Sequence, residues 1–159
     1  MRIIGIDPGT GILGFGIIEV DKNKAQLVDA GVIRTPAHED DAVRLQTIFE
    51  ELTSIIKQTK PAEMAVEKLF FAQNVTTAMT VAQARGVVLL AGKQAGLTIH
   101  EYTPLQIKQA LTGYGRAEKK QIQEMVRVIL KLKEIPKPDD CADALAAAIT
   151  HHMTRHDGI

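Results

Sequence analysis

The opening segment MRIIGIDPGTGILGFGII carries one acidic side chain, Asp7, directly after a run containing Ile3, Ile4 and Ile6 and directly before Pro8, Gly9 and Gly11. A carboxylate buried in such a setting costs several kcal/mol unless a cation or hydrogen-bond donors meet it. Glu67 closes a second apolar run, MAVE, and Asp140 and Asp143 stand at the head of the alanine-rich run in PKPDDCADALAAAI. Their spacing of three puts Asp140 and Asp143 on one face of a helix. Singly, each acid has an ordinary structural reading: a turn cap, a solvated strand end, or first-turn acids that complement a helix dipole. Gathered together, the four repel one another unless divalent cations neutralise them, and an all-oxygen ligand set suits Mg²⁺ or Mn²⁺. Two such ions about 4 Å apart activate water and stabilise the leaving oxygen of an in-line phosphoryl displacement.

The elements that must bring the four together can be read from periodicity. Residues 2–7 form a buried strand, and FGIIEV followed by QLVDAGVIR forms a hairpin that turns near DKNK. Leu45, Ile48, Leu52, Ile55 and Ile56 recur at helical spacing between about Asp40 and Lys60, and Pro61 stops that helix. EMAVEKL is a strand ending near Glu67, a helix follows to about Gln94, TIHEY is a fifth strand, and two or three helices close the chain, the last after Pro136 and Pro138. This order predicts an α/β fold with a mixed five-stranded sheet flanked by helices, because the hairpin is antiparallel and the helical crossovers return parallel strands. At 159 residues, 45% of them hydrophobic, residues 1–159 are read as one domain.

GTGILG matches GxGxxG, yet a dinucleotide fingerprint needs a helix to start at its glycines, and here a strand pattern follows. A phosphate-binding P-loop fails as well, because Phe15 stands where lysine is required. Nineteen basic and nineteen acidic residues cancel. Their distribution is uneven: residues 105–137 hold eight basic residues against three acidic, enough for a basic face on a neutral protein. The one cysteine, Cys141, has no disulfide partner or metal-ligand companion. No secretory pattern opens the chain and every apolar stretch reads as too short or interrupted to cross a bilayer, so a cytoplasmic protein without membrane contact is expected.

The segments IIGIDPGTGILGFGII, VEKLFFAQN, AQARGVVLLAG, YTPLQIKQALTGYGRAEKKQIQEMV and DDCADALAAAITH resemble, in order and over nearly the whole chain, the RuvC family of bacterial Holliday junction resolvases. The resemblance implies a ribonuclease-H-like fold, a homodimer, and Mg²⁺-dependent endonuclease cutting of two symmetric strands at a four-way DNA junction, in recombination and repair. Two Mg²⁺ ions per site are implied, with Mn²⁺ able to substitute, and RuvA and RuvB are the implied partners. The family's acidic positions fall on Asp7, Glu67, Asp140 and Asp143; some relatives carry histidine at the position of Asp140. A junction-inserting aromatic falls on Phe70, and basic DNA-binding positions on Lys108 and Lys119. Phe71 is read as core, Cys141 as turned away from the metals, and His151 and His152 as packing or helix-surface residues. Lys68 stands where the family leads one to expect glutamine. The helix of about residues 74–94, with Ala82 and Gly86 four apart, is the expected twofold contact.

Two other functions compete. Actin-like and sugar-kinase-like ATPases share the Asp-x-Gly-Thr turn matched by Asp7, Gly9 and Thr10, but need two such halves to enclose a nucleotide, and no second phosphate-binding turn appears. A junction-binding module without catalysis has no use for four acids that repel DNA.

Overall fold

The computed structural model describes residues 1–68 and 75–155. In chain order the elements are β1 (Arg2–Asp7), β2 (Ile12–Asp21), β3 (Lys24–Arg34), α1 (Asp41–Thr59), β4 (Glu63–Glu67), α2 (Val75–Gln94), β5 (Thr98–Tyr102), α3 (Pro104–Thr112), α4 (Lys119–Ile129) and α5 (Asp139–Thr154). The five strands lie in the order β3-β2-β1-β4-β5. β1 pairs antiparallel with β2, which pairs antiparallel with β3, while β1–β4 and β4–β5 are parallel. The mixed sheet is the predicted one. β2 begins earlier than its apolar pattern indicates, at Ile12, so Gly14 belongs to the strand and not to the turn after Asp7.

Strand alternation sorts the sheet into two cores. Ile4, Ile6, Leu13, Phe15, Ile17, Met64 and Val66 face one way, against Ile48, Leu52 and Ile56 of α1 and Ala84, Val88 and Ala91 of α2. Ile3, Ile18, Val20 and Ala65 face the other way, against α3, α4 and the alanine-rich α5. By the same parity Asp7 and Glu67, two residues beyond Gly5 and Ala65, turn toward the α5 side.

Glycines seat α5 on that side. A methyl group at Gly5 would overlap the Ala144 carbonyl oxygen and lie 2.8 Å from the Ala148 nitrogen. At Gly16 it would meet Leu145 Cδ2 at 2.5 Å, and at Gly14 it would overlap the Asp140 carbonyl. Gly5 and Gly16 are register partners, as are Asp7 and Gly14. The apparent nucleotide fingerprint is therefore in part a trough into which a helix backbone settles.

One sequence expectation needs correction. By length and composition α2 does qualify as a bilayer-crossing helix. Its buried face (Ala84, Val88, Ala91 and Gly92) covers the sheet, and Arg85 in its middle pairs with Glu101 of β5. The remainder is open: Val75, Met79 and Leu90 are 72, 62 and 51% exposed, and Ala82 and Gly86 lie between them, also exposed.

Candidate active site

Asp7 and Glu67 end neighbouring parallel strands, Ile6 standing opposite Val66 in the register, so both carboxylates leave the sheet at one edge and on one face. They share a side-chain hydrogen bond. Gly14, opposite Asp7 on β2, carries the first turn of α5 against the strand, which brings Asp140 and Asp143 to the same place. Asp140 and Asp143 do not cap their helix; Pro138 occupies the cap position and no side chain bonds there. The four acids gather, each half-buried.

The turn after Asp7 is fixed from outside. Thr10, buried, donates its hydroxyl to the Thr80 carbonyl on α2 at 2.8 Å, and its own carbonyl accepts from the Thr35 hydroxyl. Thr10 thus ties the turn after β1 to α2 and to the residue that follows β3, in place of the phosphate contact an ATPase would need.

The electrostatics record the crowding. Burial, and then repulsion from Glu67, Asp143 and Asp140, push the Asp7 pKa up to about 9. Burial and Asp143 raise Glu67, against the lowering effects of the Asp7 hydrogen bond, Lys119 and Lys108. Burial also raises Asp143, opposed by Lys119. Protonation of Asp7 relieves this repulsion in the metal-free chain, as a divalent cation would. This all-carboxylate donor set of several oxygens suits hard cations such as Mg²⁺ and Mn²⁺.

Two lysines approach from the other helices. Lys119, the first residue of α4, sets Nζ 3.5 Å from both Asp139 and Asp143. Partial burial lowers its pKa, and Asp143 and Asp139 outweigh that to leave it raised. Lys108 of α3 lines an open cleft of about 270 Å³ together with Glu67, Asp143, Lys119, Pro104 and Ile122. A second hollow adjoins it, lined by Asp7, Pro8, Glu67, Lys68, Val81 and Arg85.

Sequence reasoning misses Asp139 and Arg85. Asp139 is hidden beside Asp140 in the DD pair, although first-turn acids next to a basic helix start are a signal for ion pairing. Arg85 lies inside AQARG, and its Nε is buried with no hydrogen-bond partner among the described residues. Cys141 is buried on the far side of α5, in a groove with Asp29, Ala30 and Ile135. His151 and His152 are buried, so the helix-surface alternative is wrong for both. Phe70 and Phe71 lie outside the described residues.

A family model described as crossover junction endodeoxyribonuclease RuvC matches residues 3–151. The chain is 61% identical over 156 residues to crossover junction endodeoxyribonuclease RuvC of Heliobacterium modesticaldum, spanning 97% of this chain and 96% of that protein. To its counterpart from Brevibacillus brevis it is 56% identical over 155 residues, 98% and 93% of the two chains. Among solved structures, Thermus thermophilus RuvC in complex with Holliday junction substrate superposes with a TM-score of 0.94 at 40% identity, over 99% of this chain and 96% of that one. The yeast mitochondrial Holliday junction resolvase Ydc2 has the same fold at 12% identity, with a TM-score of 0.72 over 97% of this chain and 78% of that one.

Proposed function

The chain belongs to the RuvC family of crossover junction endodeoxyribonucleases, and from that membership and the acidic cluster we propose how it resolves four-way DNA junctions. It is a hydrolytic endonuclease acting in recombination and repair. The observation that carries the proposed mechanism is the convergence of Asp7, Glu67, Asp140 and Asp143 on one face of the sheet edge, beside Lys108 and Lys119. These four acids are the proposed ligands for Mg²⁺, two ions per site with Mn²⁺ as a substitute. Bound there, the ions supply activation of the attacking water and neutralisation of charge on the phosphate.

The side chains do the rest. Asp7 and Glu67, fixed at strand ends, set the line along which the scissile phosphate must lie, and α5 sets the second pair of oxygens against it. Lys108 and Lys119 face the approaching backbone and offset the repulsion between phosphate and four acids. Water attacks phosphorus, the phosphodiester bond to the leaving oxygen breaks, and a nicked strand remains. Purified protein incubated with a synthetic four-way junction or a linear duplex, in Mg²⁺ or EDTA, tests this reading. Paired symmetric nicks in the junction with Mg²⁺ alone are expected; equal cutting of linear duplex, or cutting in EDTA, would refute it.

Paired incisions require two active sites, and the open stripe of α2 (Val75, Met79, Ala82, Gly86 and Leu90) supports a twofold homodimer. A methyl group at Gly86 would meet nothing within 4 Å among the described residues, which leaves a partner helix room for close approach. Ala82→Arg places a charge in that contact; we expect monomers by analytical ultracentrifugation at micromolar concentration and loss of paired nicking. A dimer that survives Ala82→Arg would place the interface elsewhere. RuvA and RuvB as partners and a cytoplasmic location are likewise proposed, with family membership as their support, and the whole of residues 1–159 is proposed as one nuclease domain.

Phe70, three residues past Glu67, is proposed to stack on a base exposed at the junction centre. Phe70→Ala should lower cleavage about tenfold or more, as loss of about 1–3 kcal/mol of stacking implies, whereas Phe70→Trp should retain most of it. Junction cleavage with Phe70→Ala unchanged would remove that role.

A further inference from the structure

At the opposite end of α5 from the four acids, a second ligand-bearing cluster is assembled by the same strand parity. Glu63 opens β4, His100 is the middle residue of β5, and both face the α5 side, where His151 in the last turn of the helix comes down on them. His151 Nε2 pairs with a Glu63 carboxylate oxygen. The imidazoles of His100 and His151 stack with centroids 4.2 Å apart and planes 26° from parallel. One ligand atom from each of the three residues falls within 4.8 Å of the other two.

The geometry points to a second metal site, in which Glu63, His100 and His151 bind a borderline divalent ion such as Zn²⁺. Two nitrogens and one carboxylate oxygen form a common zinc set that leaves a fourth position for water, whereas Mg²⁺ selects oxygen. Zinc bonds of about 2.0–2.1 Å put tetrahedral ligand atoms about 3.4 Å apart, so side-chain adjustment closes the present separation. Metal-binding histidines donate their other ring N–H to a fixed acceptor, and His151 has one: its Nδ1 lies 2.6 Å from the Tyr102 hydroxyl, which also accepts from Thr154. Glu63 and His100 are half-buried, which gives an ion a path in. Among the described residues the opposing group is Arg155, whose Nη1 is 3.8 Å from Glu63 and which caps the C-terminal end of the helix, where its long side chain can swing out. An ion here clamps the C-terminal end of α5 to β4 and β5, the helix whose other end carries Asp140 and Asp143.

The test uses untagged protein in saturating Mg²⁺, so that the hard-oxygen site is occupied, and follows Co²⁺ by its visible absorption. We expect one equivalent bound by the wild type and by Asp7→Asn, with a tetrahedral-type band that Zn²⁺ displaces. His100→Phe, which keeps a ring stacked on His151 and removes both nitrogens, and Glu63→Gln should each weaken binding at least tenfold. Zn²⁺ should raise the melting temperature of the wild type and not of His100→Phe. No band from the wild type, binding unchanged in both variants, or a band lost in Asp7→Asn would overturn the assignment.

Discussion

Asp7→Asn will lower junction cleavage by about 10³-fold or more while junction binding is kept or tightened and the metal-free protein becomes more stable at neutral pH. The first effect removes the carboxylate at the centre of the cluster, the one that Glu67, Asp143 and Asp140 all repel, so the proposed ions lose a ligand and the attacking water its activation. The second removes one negative charge from the surface that a phosphate must approach. The third follows from linkage. The carboxyl of Asp7 titrates at about 9 in the folded chain and has an ordinary value of 3.8. Between those values the folded state holds a proton that the unfolded state has released, so stability falls as pH rises through that window. Each pH unit spent in that window costs at most about 1.4 kcal/mol, and Glu67 shares the proton, so asparagine, which never ionises, should gain on the order of 2 kcal/mol over aspartate at about pH 8 in EDTA. Urea denaturation at several pH values in EDTA measures this, with gel shift and cleavage assays on the same preparations. A variant that is less stable than the wild type at that pH, or that loses binding with cleavage, would mean that Asp7 is a structural carboxylate. Mg²⁺ should reverse the pH trend of the wild type and leave the variant largely unmoved, since only the wild type exchanges repulsion for a cation.

The parts of this molecule that are readable from sequence are those in which one residue's context is its immediate neighbours. Asp7 and Glu67 stand out because an isoleucine run and MAVE precede them, and Asp140 and Asp143 because a helix start with three-residue spacing is a local pattern. The five strands follow from apolar alternation and runs, and the capping box of Thr103 with Gln106 behind Pro104 marks the start of α3 as such patterns should. Other features require knowing which distant elements meet. Gly5, Gly14 and Gly16 look like turn or fingerprint glycines until α5 is seen lying on them. Glu63, His100 and His151 are unremarkable apart, because their proximity depends on the β4–β5 register and on the path of α5 across the sheet. The outward stripe of α2 is half legible: Ala82 and Gly86 stand out as small, but Ala84 and Ala91, equally small, point into the core, and only the helix's rotation on the sheet separates the two sets.

That dependence of the site on the α5 seat supports the second large effect. Gly14→Ala should reduce cleavage about 10²-fold or more while leaving a folded protein. A methyl group there overlaps the Asp140 carbonyl oxygen and lies 2.6 Å from its carbon, so the first turn of α5 must lift by about 1 Å to restore ordinary contact. Misplacing catalytic groups by about 1 Å costs on that scale, because both Asp140 and Asp143 leave their positions opposite Asp7 and Glu67. The end of a helix can tilt; its middle cannot. Gly5→Ala strikes the Ala144 carbonyl and the Ala148 nitrogen, near the centre of α5 and under completely buried alanines, so it should lose about 3 kcal/mol or more of stability, beyond ordinary overpacking. Gly86→Ala, where the added methyl meets nothing within 4 Å among the described residues, is the control for glycine removal in the stability measurements only, because Gly86 lies in the proposed twofold contact. Gly14→Ala and Gly5→Ala separate two causes of inactivity. Gly14→Ala should show native circular dichroism, a modestly lowered melting temperature and a raised Mg²⁺ requirement, whereas Gly5→Ala should show a steeply lowered melting temperature. Full activity in Gly14→Ala would show that α5 reaches Asp7 without that seat, and the glycine would then have no part in positioning the acidic pair.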